Sequence, residues 1–315
     1  MSNVPAGVEP GQRAAWVDAA RCMAMFFIIW LHAGAAPGWV GEVVGGAICL
    51  FYVLAGYFMP QVPGSCARRA GRLLLAWLLW SVLSAGLALA VEPGAGFSWA
   101  RFVGLGAPAY NTPLWFLRNL ALYQLVVALL LWLRVLPGYV WWVVVLLLGC
   151  AYAVEPAQHV GLRFDHLWWV VLGVGLRGVP LAGLRLWLGR YAWLLVGGGV
   201  FLLVQPYVLD AVLGVAWRRS ALPVAELVAV VGFCVAGVLG ERFCPQVVRC
   251  MVPVGRCMFF SYAAHSFMLA PLYAGWVPAF AWNVWVPLPV LLLLTWLCLL
   301  GQRYFPRVLA LFLAR

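Results

Sequence analysis

The sequence predicts an all-α, polytopic membrane bundle, and three observations carry that reading. The 315 residues are 66% hydrophobic and only 9% charged, against about 25% charged in a soluble globular chain. Mean hydropathy is +0.99. The apolar residues fall into ten runs, each near the ~20 residues that a helix needs to cross a bilayer. Length alone would suggest about two soluble domains, but no polar stretch is long enough to fold as one. The composition excludes a cytosolic enzyme, a secreted disulfide scaffold and a disordered chain. Residues 1–315 are therefore read as a single transmembrane domain with no separate soluble domain.

Charge and Pro/Gly punctuation set the expected spans at about 14–35, 42–60, 72–91, 113–133, 138–154, 164–181, 190–209, 223–240, 257–276 and 284–302. The first span has a competing reading, because Met23–Leu31 followed by Ala33-Gly34-Ala35 resembles a signal peptide and its cleavage site. Asp18 and Arg21 intrude just before that run, so a retained helix is the better reading. Arg177, Arg185 and Arg190 crowd the junction of the sixth and seventh spans, and Trp and Pro crowd 257–302.

All 20 basic residues are Arg, against nine acids, for a net charge of +11. With an inside N-terminus, fourteen of these Arg fall on the cytoplasmic side and four (Arg101, Arg163, Arg218 and Arg219) outside. That bias predicts an even number of spans and two cytoplasmic termini. It also explains the basic balance without any nucleic-acid partner. The nine Cys are scattered without a C-x-x-C, and Cys244, Cys250 and Cys257 are too widely spaced for a zinc knuckle. They read as small buried apolar residues.

Ionisable residues inside apolar runs are functional candidates, because a charge at the bilayer centre costs about 2.5–3.5 kcal/mol. Asp18, Arg21 and His32 share the first helix. Eleven steps of about 100° bring Arg21 and His32 within roughly 20° of one face, ~16 Å apart along the axis. Asp18 stands three residues before Arg21, within ion-pair reach. For Asp18 and Arg21 the alternative is snorkelling to the headgroups; for His32, deeper on the stripe, function is the better reading. His159 and His166 sit in an expected outer loop with Glu155 and Asp165 and read as solvated, without metal-ligand spacing.

These residues resemble a family. Arg21 to His32, in DAARCMAMFFIIWLHAG, resembles the Arg-x10-His signature of the acyltransferase-3 membrane acyltransferases. LFYVLAGYFM (Leu50–Met59) resembles the family's second helix, with Ala55 where Ser is common. Arg69 and Arg72 match its Arg-x-x-Arg. PLWFLRNL (Pro113–Leu120) resembles its Trp-Phe-Leu-Arg segment, with Asn119 where many members have an acid, and FFSYAAHSF (Phe259–Phe267) resembles its late Tyr-x-x-His helix. Five motifs in order cover most of the chain.

The resemblance implies transfer of an acyl group, typically acetyl, from cytoplasmic acyl-CoA to a hydroxyl of a cell-surface or lipid-linked glycan. The expected location is a bacterial plasma membrane, with acetyl-CoA as donor substrate, membrane lipids around the protein and no permanently bound cofactor or metal. His32 would be general base or transient acyl carrier, its reference pKa near 6.5 suiting either role. Arg21 would counter a carboxylate, thioester oxygen or phosphate, with Asp18 holding its guanidinium. Arg68, Arg69 and Arg72 read as inside anchors on charge alone; the resemblance makes Arg69 and Arg72 candidates for the phosphates of coenzyme A. Arg118 is expected to face a polar cavity. Trp115, beside Arg118 and Asn119, is either a sugar-stacking platform or an interfacial belt residue. Tyr52, Gly56 and Tyr57 would line the cavity beside His32, or Gly56 would only permit close helix packing. Tyr262 and His265 form either a substrate-site pair or a helix–helix hydrogen bond. A transporter or flippase for a glycan intermediate is the alternative function, but the paired repeats or matched broken helices expected of one are not found. A purely structural membrane subunit would leave the one-face stripe without a reason.

Overall fold

In the computed structural model the described residues are 14–34, 36–91, 94, 96–103, 112–133, 139–154, 166–199, 218–273 and 285–313. Among them the regular elements are all helical. The first half contains α1 (Ala15–His32), α2 (Gly38–Tyr57), α3 (Pro63–Val91), α4 (Trp99–Val103) and α5 (Trp115–Trp132), the last entered through a 3₁₀ turn at Thr112–Leu114. Then follow α6 (Tyr139–Val154), α7 (Leu167–Leu176), α8 (Leu181–Arg190) and α9 (192–199). The chain closes with α10 (Arg218–Phe243), α11 (Pro245–Arg256), α12 (Met258–Tyr273), α13 (Pro287–Tyr304) and α14 (Pro306–Phe312).

Among the described residues, six helices are long and apolar enough to cross a membrane, or up to eight if each of two bent pairs makes one span. Not every one of the ten expected spans passes that test among the described residues, for local reasons. α6 as described is 16 apolar residues, short of a full crossing, and α7 and α8 meet at 102° near the end expected for the sixth span. The bend follows from Pro180, which breaks the helix between Arg177 and Leu181. It is tied to the end of α2, because Arg177 donates to the Met59 carbonyl and Tyr57 Oη donates to the Val179 carbonyl at 2.7 Å. α11 and α12 likewise meet at 76°. The seventh expected span (190–209) runs from the end of α8 through α9 into residues outside those described, and both termini, on which the expected orientation rests, also lie outside them.

α1 is the axis of the bundle, packed against α2, α10, α11, α12 and α13. Four of its ten buried positions are small (Ala19, Ala20, Cys22, Ala24), which lets neighbouring backbones approach. The same device sets the other crossings. A Cβ at Gly56 would collide with the Val170 carbonyl, and one at Gly173 with the Val53 carbonyl, so α2 and α7 interlock through reciprocal glycines. Gly237 does the same for α10 against the Trp16 carbonyl of α1. Leu146, Leu147, Leu186, Trp193 and Leu194 stand exposed, an apolar exterior that suits lipid. All nine Cys are free thiols.

Candidate functional site

α1 begins with a buried carboxylate. Asp18 is 2% exposed and accepts from Arg21 Nη1 at 3.4 Å, while the Arg21 side chain keeps 27% of its surface open. α11 seals this pair from behind. A Cβ at Gly255 would lie 2.6 Å from the Asp18 carboxylate, so only glycine lets α11 close over it. The Cys22 thiol donates to the Met251 carbonyl at 3.3 Å and ties the same two helices.

Asp18 and Arg21 open onto a cavity of about 540 Å³. Its walls are mostly apolar: Phe51, Leu54, Ala55 and Phe58 from α2, Leu73 from α3, Phe116, Leu117 and Leu120 from α5, and Met258 and Phe259 from α12. Arg69 is the second cation on its lining, held by donation from Nη1 to the Phe58 carbonyl at 3.0 Å. Tyr262 closes part of the wall from α12, its hydroxyl donating to the Pro113 carbonyl at 2.9 Å.

One turn beyond Tyr262 is His265, fully buried. Its Nδ1 lies 2.7 Å from the Tyr262 carbonyl. A carbonyl only accepts, so in the neutral ring Nδ1 carries the proton and Nε2 the lone pair. Nε2 is buried with no hydrogen-bond partner among the described residues. The His265 ring stands 5.2 Å from the ring of His32, which ends α1. Helical geometry separates His32 from Arg21 by ~16 Å. The α1 stripe thus reaches from the charged wall of the cavity to the histidine pair, with Tyr262 between them on α12.

The expected site residues do not all meet here, and His32 and His265 themselves lie off the cavity lining, beyond Tyr262. Arg68 and Arg72 are exposed and off the lining; Arg68 donates to the Gly64 carbonyl and Ser65 Oγ, both at 3.2 Å. Tyr52 is fully buried in an aromatic cluster with Phe116 (4.5 Å), Tyr123 (5.5 Å) and His166 (5.2 Å). Gly56 serves the α2–α7 crossing and Tyr57 the α7–α8 bend. Arg118 is buried but off the lining: it donates to the Val103 carbonyl of α4 and, at 3.4 Å, to Asn119 Oδ1. Asn119 is itself fully buried, and Trp115 packs 5.6 Å from His166.

His166 corrects one expectation. Instead of being solvated it is 2% exposed, because the turn that starts α7 folds inward against α2 and α5. One nitrogen of its ring, the Cys49 thiol and a Glu226 carboxylate oxygen lie within 4.8 Å of one another, a set able to hold a metal ion. Glu226 went unremarked in the sequence, although an acid inside the apolar run 223–240 was the available signal. The apolar cavity walls carried no such signal. His159, Glu155 and Asp165 lie outside the described residues.

Compared with known proteins, residues 14–302 match a family model described as an acyltransferase domain, the acyltransferase-3 type. Neither a curated protein nor a solved structure matches the chain.

Proposed function

The chain belongs to the acyltransferase-3 family, and from that premise we propose that it is an O-acetyltransferase taking acetyl from cytoplasmic acetyl-CoA to a hydroxyl of a cell-surface or lipid-linked glycan. The observation that carries this reading is one cavity lined by Asp18, Arg21, Arg69 and Tyr262, on a helix that holds His265 against His32. The membrane acyltransferase class comes with the family; the donor, the acetyl group and the glycan are the proposal.

Donor binding starts at the two guanidiniums. Arg binds phosphate through two parallel charge-assisted hydrogen bonds, and coenzyme A has its phosphates at one end and its thioester at the other. With the phosphates at Arg69 and Arg21, the apolar walls take the flexible arm and keep bulk water from the thioester. The ~16 Å from Arg21 to His32 is a distance for such an arm, not for a bare acetyl group. Asp18 holds the Arg21 guanidinium and offsets its charge.

Further along α1, beyond the cavity lining, His32 accepts the proton of the acceptor hydroxyl as its oxygen attacks the thioester carbonyl. A C–O bond forms, the C–S bond breaks, and the coenzyme A thiolate leaves and takes up the proton. If His32 instead carries the acetyl group, the same bonds exchange in two steps. In both schemes His265, with Nδ1 committed to the Tyr262 carbonyl, offers Nε2 as an acceptor beside the reacting imidazole.

Purified protein in vesicles, given acetyl-CoA labelled in the acetyl group and a panel of saccharides, should release coenzyme A and pass label to saccharide. Absence of donor turnover with every acceptor, from well-inserted protein, removes the donor assignment. Comparing the glycans of cells with and without the protein by mass spectrometry identifies the acceptor.

A further inference from the structure

Away from the cavity, three potential metal ligands from distant parts of the chain converge inside the bundle. Cys49 lies in the middle of α2, His166 immediately precedes α7, and Glu226 lies in α10. Their exposures are 0%, 2% and 7%, and their ligand atoms lie within 4.8 Å of one another. The backbone around them makes room for the carboxylate. Gly45 is one turn before Cys49 on the same face of α2, and a Cβ there would stand only 3.1 Å from Glu226 Oε1. At Gly46 a Cβ would collide with Ala229 of α10, so the paired glycines set how close Glu226 comes.

We infer that Cys49, His166 and Glu226 form a binding site for a zinc-class divalent transition metal. The donor set decides the class. Thiolate, imidazole and carboxylate are the three ligand types that zinc takes from proteins, whereas magnesium and calcium take oxygen. The charges balance as well: one thiolate and one carboxylate neutralise a doubly positive ion, leaving no net charge in a low-dielectric interior. Binding displaces the Cys49 thiol proton to solvent. Tetrahedral ligands at about 2.0–2.3 Å from zinc lie ~3.3–3.8 Å from each other, so modest side-chain rotation closes the site. The three side chains leave a fourth position for water or substrate. The ion clamps α2, α10 and the start of α7, and it fixes the His166 ring against Tyr52 and Trp115. The site thus stands off the lining of the Asp18–Arg21 cavity, while its His166 packs against Trp115 at the start of α5.

The test uses the full chain in detergent, stripped with a chelator and re-loaded with zinc or cobalt(II) alone. Elemental analysis should find one ion per chain, and cobalt should give a thiolate charge-transfer absorption band. Cys49→Ser should remove that band, and Glu226→Gln should weaken binding at least tenfold. Cys150→Ser, an exposed cysteine on α6, should bind as wild type. In the wild-type protein, zinc should protect Cys49 from alkylation as read by peptide mass spectrometry, which decides the matter even if Cys49→Ser fails to fold. Binding well below one ion per chain, cobalt without the thiolate band, or equal alkylation of Cys49 with and without zinc overturns the inference, leaving a metal-free buried cluster.

Discussion

The imidazole rings of His32 and His265 face each other at 5.2 Å, one closing α1 and the other buried midway along α12. Neither residue brings the other within reach by sequence proximity; the packing of α12 against α1 does so. The pair therefore depends on tertiary structure, and it makes separable predictions.

His32→Phe keeps an aromatic ring of similar size at the end of α1 and removes both nitrogens. Acyl transfer should fall by about 10²–10⁴-fold, the usual contribution of a general base. Membrane abundance should stay at the wild-type level. Undiminished transfer to saccharide by a well-inserted His32→Phe protein removes His32 from the chemistry.

His265→Gln retains a donor for the Tyr262 carbonyl but lacks a basic nitrogen. If His265 acts through His32, kcat should drop roughly tenfold or more while KM for the donor holds, and the pH–rate profile should change shape. A KM rise with kcat intact would show instead that the residue affects donor binding and not the chemistry at His32.

Arg69→Lys keeps the positive charge but loses the planar fork. The KM for acetyl-CoA should rise about tenfold, equivalent to ~1.4 kcal/mol, with little change in kcat. Arg249→Ala, on the exposed face of α11, serves as the control and should leave both constants alone. Wild-type donor affinity in Arg69→Lys counts against the phosphate role.

Leu120→Trp places a larger ring in the apolar wall of the 540 Å³ cavity. Donor turnover should fall steeply, and longer acyl donors should suffer more than acetyl. Thermal unfolding in detergent reports the folding cost, expected at about 1–3 kcal/mol for overpacking. Equal loss for all chain lengths would mean that the acyl arm does not occupy this wall.

Gly56→Leu tests the bundle rather than the chemistry. The side chain would run into the Val170 backbone, which cannot move aside as a side-chain tip can. We expect loss of the α2–α7 contact and poor recovery from the membrane. Normal yield and melting would show that the two helices have room to separate.

How far each feature was legible depends on what signal it left along the chain. An intramembrane His, Arg or Asp is expensive, so its presence draws attention, and helical periodicity alone aligns Asp18, Arg21 and His32. Apolar residues inside a membrane helix send no such message. Leu117 lines the cavity and Leu146 stands exposed at the surface, yet both read as the same hydrophobic background. Hydropathy also counts apolar runs, not their direction, so the end expected for the sixth span near residue 181 carried no sign that the chain turns there by 102° into α8.

Sequence by itself determined that this chain is helical and membrane-embedded, that it is an acyltransferase-3 protein, and that Asp18, Arg21 and His32 share one helix face. Composition, local periodicity and motif order are properties of neighbouring residues, and they survive without a fold. Tertiary structure decided which helices meet: that Arg69 and not Arg68 reaches the cavity, that His265 stands against His32, and that His166 turns inward to Cys49 and Glu226. Those meetings are set by glycine-sized gaps between helix backbones, and a gap exists only once two helices are packed together.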